Sequence, residues 1–185
     1  SYFEPDEVRL ATGVVEAVWS VAHARTPQLH DVAAIQSIYG ANTRTHLGNT
    51  TYGFSLDDTD LSFSLPNLNT FETVFTIWDS GGNDTIDASG AVVSATGVQI
   101  LADGYDASSR FPHQTIDLRE GHFSSIGLRI FDSVGPLPLI DNVAIAFGTV
   151  IENAIGGGGD DLIIGNDADN KLVGNDGDDK LVGGN

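Results

Sequence analysis

Near its end the chain repeats itself every nine residues: GGGGDDLII over 156–164, GNDADNKLV over 165–173 and GNDGDDKLV over 174–182. A fourth unit opens at Gly183-Gly184-Asn185. A fixed short period constrains a fold more than local propensity does, because one unit buries little until it stacks on its neighbours. The units follow the pattern G-G-x-G-x-D-x-U-x, where U is aliphatic. The first matches at Gly156, Gly157, Gly159, Asp161 and Ile163, and the third at Gly174, Gly177, Asp179 and Leu181, with Asn175 replacing a glycine. The second is degenerate, with Ala168 at a glycine position and Asn170 at the aspartate position. A flexible Gly/Asp linker is the competing interpretation, but a linker has no reason to place an aliphatic side chain in every unit.

The spacing carries chemistry. Six glycine- and aspartate-rich residues make a tight turn, and three more make a short strand whose middle residue (Ile163, Leu172, Leu181) points inward. Two units complete one coil, so the turn at 156–161 is expected to face that at 174–179. Stacked carboxylates repel unless a cation joins them, and calcium takes six to eight carboxylate and carbonyl oxygens. The expected calcium ligands here are the side chains of Asp161 and Asp179 with carbonyls of Gly157, Gly159, Gly174 and Gly177. The net charge of −18, with only 8 Lys and Arg, suits such a role and argues against nucleic acid or an anionic membrane as partner. With no cysteine, neither disulfides nor thiolate metal sites are available, which leaves calcium as the expected staple. No apolar run approaches the roughly 18 residues of a membrane span. A start at Ser1, with no Met and no signal peptide, leads us to expect a processed or excised piece.

The remainder, in a chain that is 41% hydrophobic, divides into zones. Thr26-Pro27 reads as a helix N-cap and first position, and Leu29, Val32, Ala33, Ile35, Gln36 and Tyr39 form an apolar stripe that Gly40 terminates. The run Val14–Ala24 fits helix or strand, since its β-branched residues and its alanines point opposite ways, and is read as helix or loop. From residue 50 to 152, short apolar runs at Thr73–Trp78, Thr85–Asp87, Val92–Ile100, Thr115–Leu118 and Val143–Phe147 predict strands, with loops at Asp103–Pro112 and Ser133–Pro138. The expected fold is mainly β, a parallel β-roll or β-sandwich preceded by one helix, with domains at 1–42, 43–155 and 156–185.

Several stretches resemble the C-terminal part of serralysin-type zinc metalloproteases of the metzincin class: Asp31–Asn42 (DVAAIQSIYGAN), Tyr52-Gly53-Phe54, Ile77–Asp87 (IWDSGGNDTID), Thr115–Gly127 (TIDLREGHFSSIG) and Gly148–Gly157 (GTVIENAIGG). The stretch Ala91–His113 reads as an insertion atypical of that family. The resemblance makes 1–42 the tail of a catalytic domain and places Ser1-Tyr2 directly after the family's Met-turn. Tyr2 would then approach the catalytic zinc and stabilise the transition state. It also implies calcium outside the repeats. Asp79, Gly81, Gly82 and Asp84 would form one site with carbonyls of His46, Gly48 and Thr50, and a second site would share Gly82 and Asp84 with Val150 and Glu152. Without the resemblance, DSGGND reads equally as a hairpin turn.

Zinc in this class requires H-E-x-x-H. None of the five histidines (His23, His30, His46, His113, His122) precedes a Glu, and no two are four apart. The resemblance thus implies the rear of a secreted, extracellular endopeptidase. Its zinc would be held by an upstream segment, of the same or a separate chain, and its substrates would be proteins and peptides. A non-catalytic calcium-binding adhesin or surface module and a pseudoprotease are the alternatives. The 185 residues alone are expected to cleave no peptide at any zinc concentration, as a casein or fluorogenic-peptide assay would register; turnover by the pure chain would reveal a site absent from this reading.

Overall fold

In a computed structural model, residues 23–54, 73–90, 113–131 and 135–184 are described. The chain order is β1 (His23–Ala24), α1 (Leu29–Tyr39), β2 (Thr51–Gly53), β3 (Thr73–Ile77), β4 (Thr85–Asp87), β5 (Thr115–Asp117) and β6 (Phe123–Ser124). Then follow β7 (Leu128–Phe131), β8 (Gly135–Pro138), β9 (Val143–Ile145), β10 (Asn153–Ile155), β11 (Leu162–Ile164), β12 (Lys171–Val173) and β13 (Lys180–Val182). Among the described residues the structure is mainly strand with one short helix, as expected.

Strands successive along the repeats do not pair with each other. They alternate between two parallel sheets, one ordered β12-β10-β4-β2 and the other β13-β11-β5. Asn153 pairs with Lys171, and Leu162 with Lys180, an offset of eighteen residues that makes two repeats one coil. Because each strand has three residues, only its middle side chain points inward. Tyr52, Ile86, Ala154 and Leu172 form one stack in register, and Ile116, Ile163 and Leu181 form the other. A third sheet, β1-β3-β9-β6, contributes Phe75, Ile77, Val143 and Ile145 to the same core. Burial falls toward the last coil: Ile163 is fully buried, Leu172 partly, and Leu181 is 46% exposed. The expectation that all three pack inward therefore holds for the first two.

Two local expectations need correction. The helix is capped at Gln28, whose N–H donates to Asp31 Oδ2 at 3.1 Å, two residues later than the Thr26-Pro27 reading. The Thr26 hydroxyl instead accepts the N–H of Thr76 at 2.7 Å, tying the helix entry to β3. Of the predicted stripe only Leu29 and Val32 are buried. Second, Gly135–Pro138 is a strand rather than a loop, paired antiparallel with β7 in a two-stranded ribbon. Both strands of a ribbon are edges, where a proline that cannot donate to a ladder is tolerated. Residues 1–22, including Tyr2 and most of Val14–Ala24, lie outside the described residues, as do Val92–Ile100 and Asp103–Pro112. His23-Ala24, the end of that first run, is strand β1. No described helix is long and apolar enough to cross a membrane.

The stacked middle residues set a stability prediction. Ile163→Ala empties a fully buried position and should cost about 2–5 kcal/mol, whereas the half-exposed Leu181 should lose well under half of that on the same substitution. Urea unfolding in excess calcium would compare the two; equal losses would mean that the last coil is packed as tightly as the first.

Candidate metal centre

The residue immediately before each strand controls the site. Thr50, Asp84 and Glu152 precede β2, β4 and β10, which are neighbours in one sheet, so the three lie one above another. Thr50 N donates to Asp84 Oδ1 at 2.8 Å, and Asp84 N donates to Glu152 Oε2 at 2.8 Å. Asp84 is thus joined to both adjacent coils, and it is completely buried. Its second oxygen, Oδ2, has no hydrogen-bond partner. A buried carboxylate oxygen without a donor is costly unless a cation answers it.

The turn leading to Asp84 carries the other expected donors. Asp79 is buried, its Oδ1 accepting Gly81 N at 2.8 Å and its Oδ2 accepting the Tyr52 hydroxyl at 2.5 Å. Gly82, at φ +156°, sits so near the preceding loop that a Cβ there would lie 2.5 Å from Gly48 O and 2.7 Å from Asp84 Oδ1. Only glycine leaves that gap between two oxygens open. Thr50 O accepts Thr85 N at 2.9 Å, and Gly48 O accepts the Thr50 hydroxyl at 3.1 Å. His46 adopts φ 50°, with its ring edge-on to Tyr52 at a centroid distance of 6.1 Å. Thus Gly48, Thr50, Gly82, Asp84 and Glu152 gather closely, with Asp79 and His46 joined to them through Tyr52. Val150 lies half-exposed, two residues before Glu152.

The repeats reproduce this arrangement on the other sheet. Asp161 precedes β11 and Asp179 precedes β13, and Asp161 N donates to Asp179 Oδ1 at 2.9 Å. Asp161 is buried; its Oδ1 accepts Gln114 N at 2.8 Å and its Oδ2 accepts Gly157 N at 2.6 Å. The turns 156–161 and 174–179 do face each other. A Cβ on Gly177 would lie 2.5 Å from Gly159 O, one on Gly156 2.8 Å from Gly174 O, and Asn175 Nδ2 donates to Gly156 O at 2.7 Å.

Three supporting residues were not singled out as site residues. Tyr52 orients Asp79, and Thr149, itself buried, exchanges two 3.2 Å hydrogen bonds with the Asp79 main chain. Gln114 stands before β5 where Asp84 stands before β4, and Asp84-Thr85-Ile86-Asp87 against Gln114-Thr115-Ile116-Asp117 was the available signal. For Tyr52 and Thr149 no pattern in the chain gave one.

Burial pushes Asp84 up to about 6, helped by the nearby Asp79 and Glu152 carboxylates and opposed by the Thr50 N–H. Burial likewise raises Asp161 to about 6, with Asp179 adding and the Gly157 and Gln114 N–H groups opposing. Burial and the Asp79 carboxylate drive the Tyr52 hydroxyl far above its usual range, so it remains a donor. Among the described residues no group of three or more His, Asp or Glu side chains forms a metal cage. The oxygen supply is therefore one or two carboxylates per gap plus main-chain carbonyls, a hard, all-oxygen set that fits calcium and not a nitrogen-seeking ion.

Comparison with known proteins agrees with this architecture. The family described as Peptidase M10 serralysin C terminal matches residues 41–96 and 100–183. The match is interrupted at 97–99, within the stretch 91–113. The metallopeptidase AprA of Pseudomonas marginalis is 41% identical over 143 residues, 77% of this chain and 24% of that protein. Serralysin of Proteus mirabilis is 41% identical over 142 residues, 77% and 23% respectively. Serralysin B of Dickeya chrysanthemi is 43% identical over 138 residues, 75% and 22%. The chain spans about a quarter of the length of these relatives.

A pH dependence follows from the two raised carboxyls. Each is better tolerated by the fold when protonated, so its contribution is present below the ordinary carboxylate range and is lost as pH rises through about 6. A calcium ion held there would require the ionised forms and would cancel their repulsion. The rise in thermal midpoint on adding calcium should therefore grow from about pH 5 to about pH 7 and then level off, as calorimetry with and without the ion would show. An equal rise at both pH values would exclude Asp84 and Asp161 as ligands.

Proposed function

Because the chain belongs to the peptidase M10 serralysin C-terminal family, we propose that it is the calcium-binding rear part of a secreted zinc metalloendopeptidase. In this reading the two parallel sheets form a β-roll, and calcium ions lie between its stacked turns. The observation that carries the reading is Asp84 Oδ2, a fully buried acceptor with no donor, set between the coils of Thr50 and Glu152.

The residues fit the ion. One site takes Asp79 and Asp84 with the main chain of His46, Gly48, Thr50, Gly81 and Gly82, and a second shares Gly82 and Asp84 with Val150 and Glu152. A third takes Asp161 and Asp179 with Gly157, Gly159, Gly174 and Gly177. Calcium supplies the positive charge that lets these carboxylates stay ionised while buried. The chain's own groups do the rest. Backbone N–H groups of each coil aim the carboxylates of the next, Tyr52 and Thr149 fix Asp79, and glycines keep the gaps open. Binding energy made this way is folding energy, because the unfolded chain has no such site.

Peptide hydrolysis belongs to the intact enzyme, with protein and peptide substrates bound there. Zinc, held by histidines of an upstream segment, supplies the Lewis acid, and Tyr2 adds an oxyanion donor. The domain division 1–42, 43–155 and 156–185 is part of the same proposal, the first piece being the end of the catalytic domain.

Asp84 and Asp179 separate the sites. Asp84→Ala removes a carboxylate shared by two sites and should lower the calcium count, measured by titration calorimetry on the full chain, by more than one ion. Asp179→Ala should lower it by one. Equal losses would refute the sharing, and a wild-type chain that binds no calcium would overturn the reading altogether.

A further inference from the structure

The degenerate middle repeat is the part of the array that the calcium reading, on which this inference rests, leaves unexplained. Asn170 holds the place of Asp161 and Asp179. In each repeat the side chain of the sixth residue folds over the first glycine of its own turn, so that a Cβ on Gly156, Gly165 or Gly174 would collide with it. Asn166 N donates to Asn170 Oδ1 at 2.8 Å, just as Gly157 N donates to Asp161 Oδ2.

Beyond that shared bond the chemistry inverts. The other oxygen of Asp161 accepts an N–H from the coil above. Asn170 presents an NH2 there instead, which donates to Glu152 O at 3.2 Å and to Asn166 Oδ1 at 2.9 Å. Asn166 occupies a position where the repeat pattern has glycine. Its Nδ2 donates to two main-chain oxygens of earlier segments, Leu118 O at 2.9 Å and Ile151 O at 2.8 Å, and its Oδ1 also accepts Ala168 N at 3.0 Å. Leu118 and Ile151 are themselves fully buried. Buried carbonyls converging on one point suit a cation, and here a neutral amide answers them.

We propose that the turn 165–170 is a metal-free rung of the array. The amides of Asn166 and Asn170 take the position that an ion holds between other turns, and they fasten the repeats to the preceding coil whether or not calcium is present. This rung carries no charge of its own between the turns, so removing calcium leaves it intact. The same removal leaves Asp161 and Asp179 facing each other unneutralised.

Hydrogen exchange on the full chain, with calcium and with EDTA, tests the inference. In EDTA the amides of 174–182 should lose protection while those of 166–173 keep it. Asn166→Ala should bind as many calcium ions as wild type by calorimetry, yet in EDTA its 166–173 amides should exchange roughly tenfold faster, the factor for a lost buried hydrogen bond. Asn166→Asp, of the same size, should show the same loosening in EDTA because it sets an acceptor against two carbonyls. Loss of protection at 166–173 together with 174–182 in the wild type would overturn the proposal, as would a lower ion count in Asn166→Ala. A wild-type chain that binds no calcium would overturn the calcium reading instead, and the exchange rates of the two variants would then decide the rung by themselves.

Discussion

A backbone N–H reaching across to the carboxylate of the next coil is the interaction on which the other features depend. It occurs at Thr50 to Asp84, Asp84 to Glu152, Gln114 to Asp161, and Asp161 to Asp179. In every case the donor is the residue that enters a strand, so the bond fixes where that strand begins and hence its register. It also draws acids inward: of the four acceptors, Asp84 and Asp161 are buried, and Glu152 and Asp179 are partly so. The fold therefore buries Asp84 and Asp161, and their raised protonation equilibria are the cost of that geometry.

The apolar core along these coils is narrow. Three-residue strands present one inward side chain each, and the stacks Tyr52-Ile86-Ala154-Leu172 and Ile116-Ile163-Leu181 are single files. Phe75, Ile77, Val143 and Ile145 widen the core only beside the earlier coils. By the last coil Leu181 and Val182 are exposed, and that coil rests on turn-to-turn contacts more than on apolar area. Thus the part of the chain with the least hydrophobic support is also the part richest in aspartate.

Much of this was legible in the chain. The nine-residue period announced strands at 162–164, 171–173 and 180–182 and the facing of alternate turns, because period and aliphatic spacing leave few other ways to stack. The helix was visible from its apolar stripe and Gly40, but its cap was not. Thr26 has the chemistry of a cap, yet β3 competes for its hydroxyl, and a contact fifty residues away cannot be read locally. The Gly135–Pro138 strand was hidden by its prolines, which normally signal a loop and are tolerated in this ribbon only because it is all edge. At the candidate centre, Asp84 and Glu152 came from family resemblance, Gln114 left only the likeness of 114–117 to 84–87, and Tyr52 and Thr149 act through tertiary contacts that leave no trace in the chain.

The acidity of the chain illustrates why position matters more than count. Asp167, Asp169, Asp176 and Asp178 lie exposed at the turns, where water screens them and they contribute mainly solubility. Asp84 and Asp161, two of the 26 acids, are buried, and burial raises their protonation equilibria. What separates the groups is the place of each residue in its turn. The strand-entering Asp161 takes the adjacent coil's N–H and is buried, whereas Asp160, one place earlier, takes Asp178 N at 2.8 Å and stays exposed. Asn170 shows that this place dictates geometry rather than charge, since an amide folds over Gly165 as a carboxylate folds over Gly156. The backbone thus offers the same slot at every coil, and the side chain entering it decides whether the gap above calls for a cation or is closed by a donor of its own. A net charge of −18 is in this sense two quantities, one set by solvent and one set by which slots hold Asp or Glu and which hold Asn or Gln.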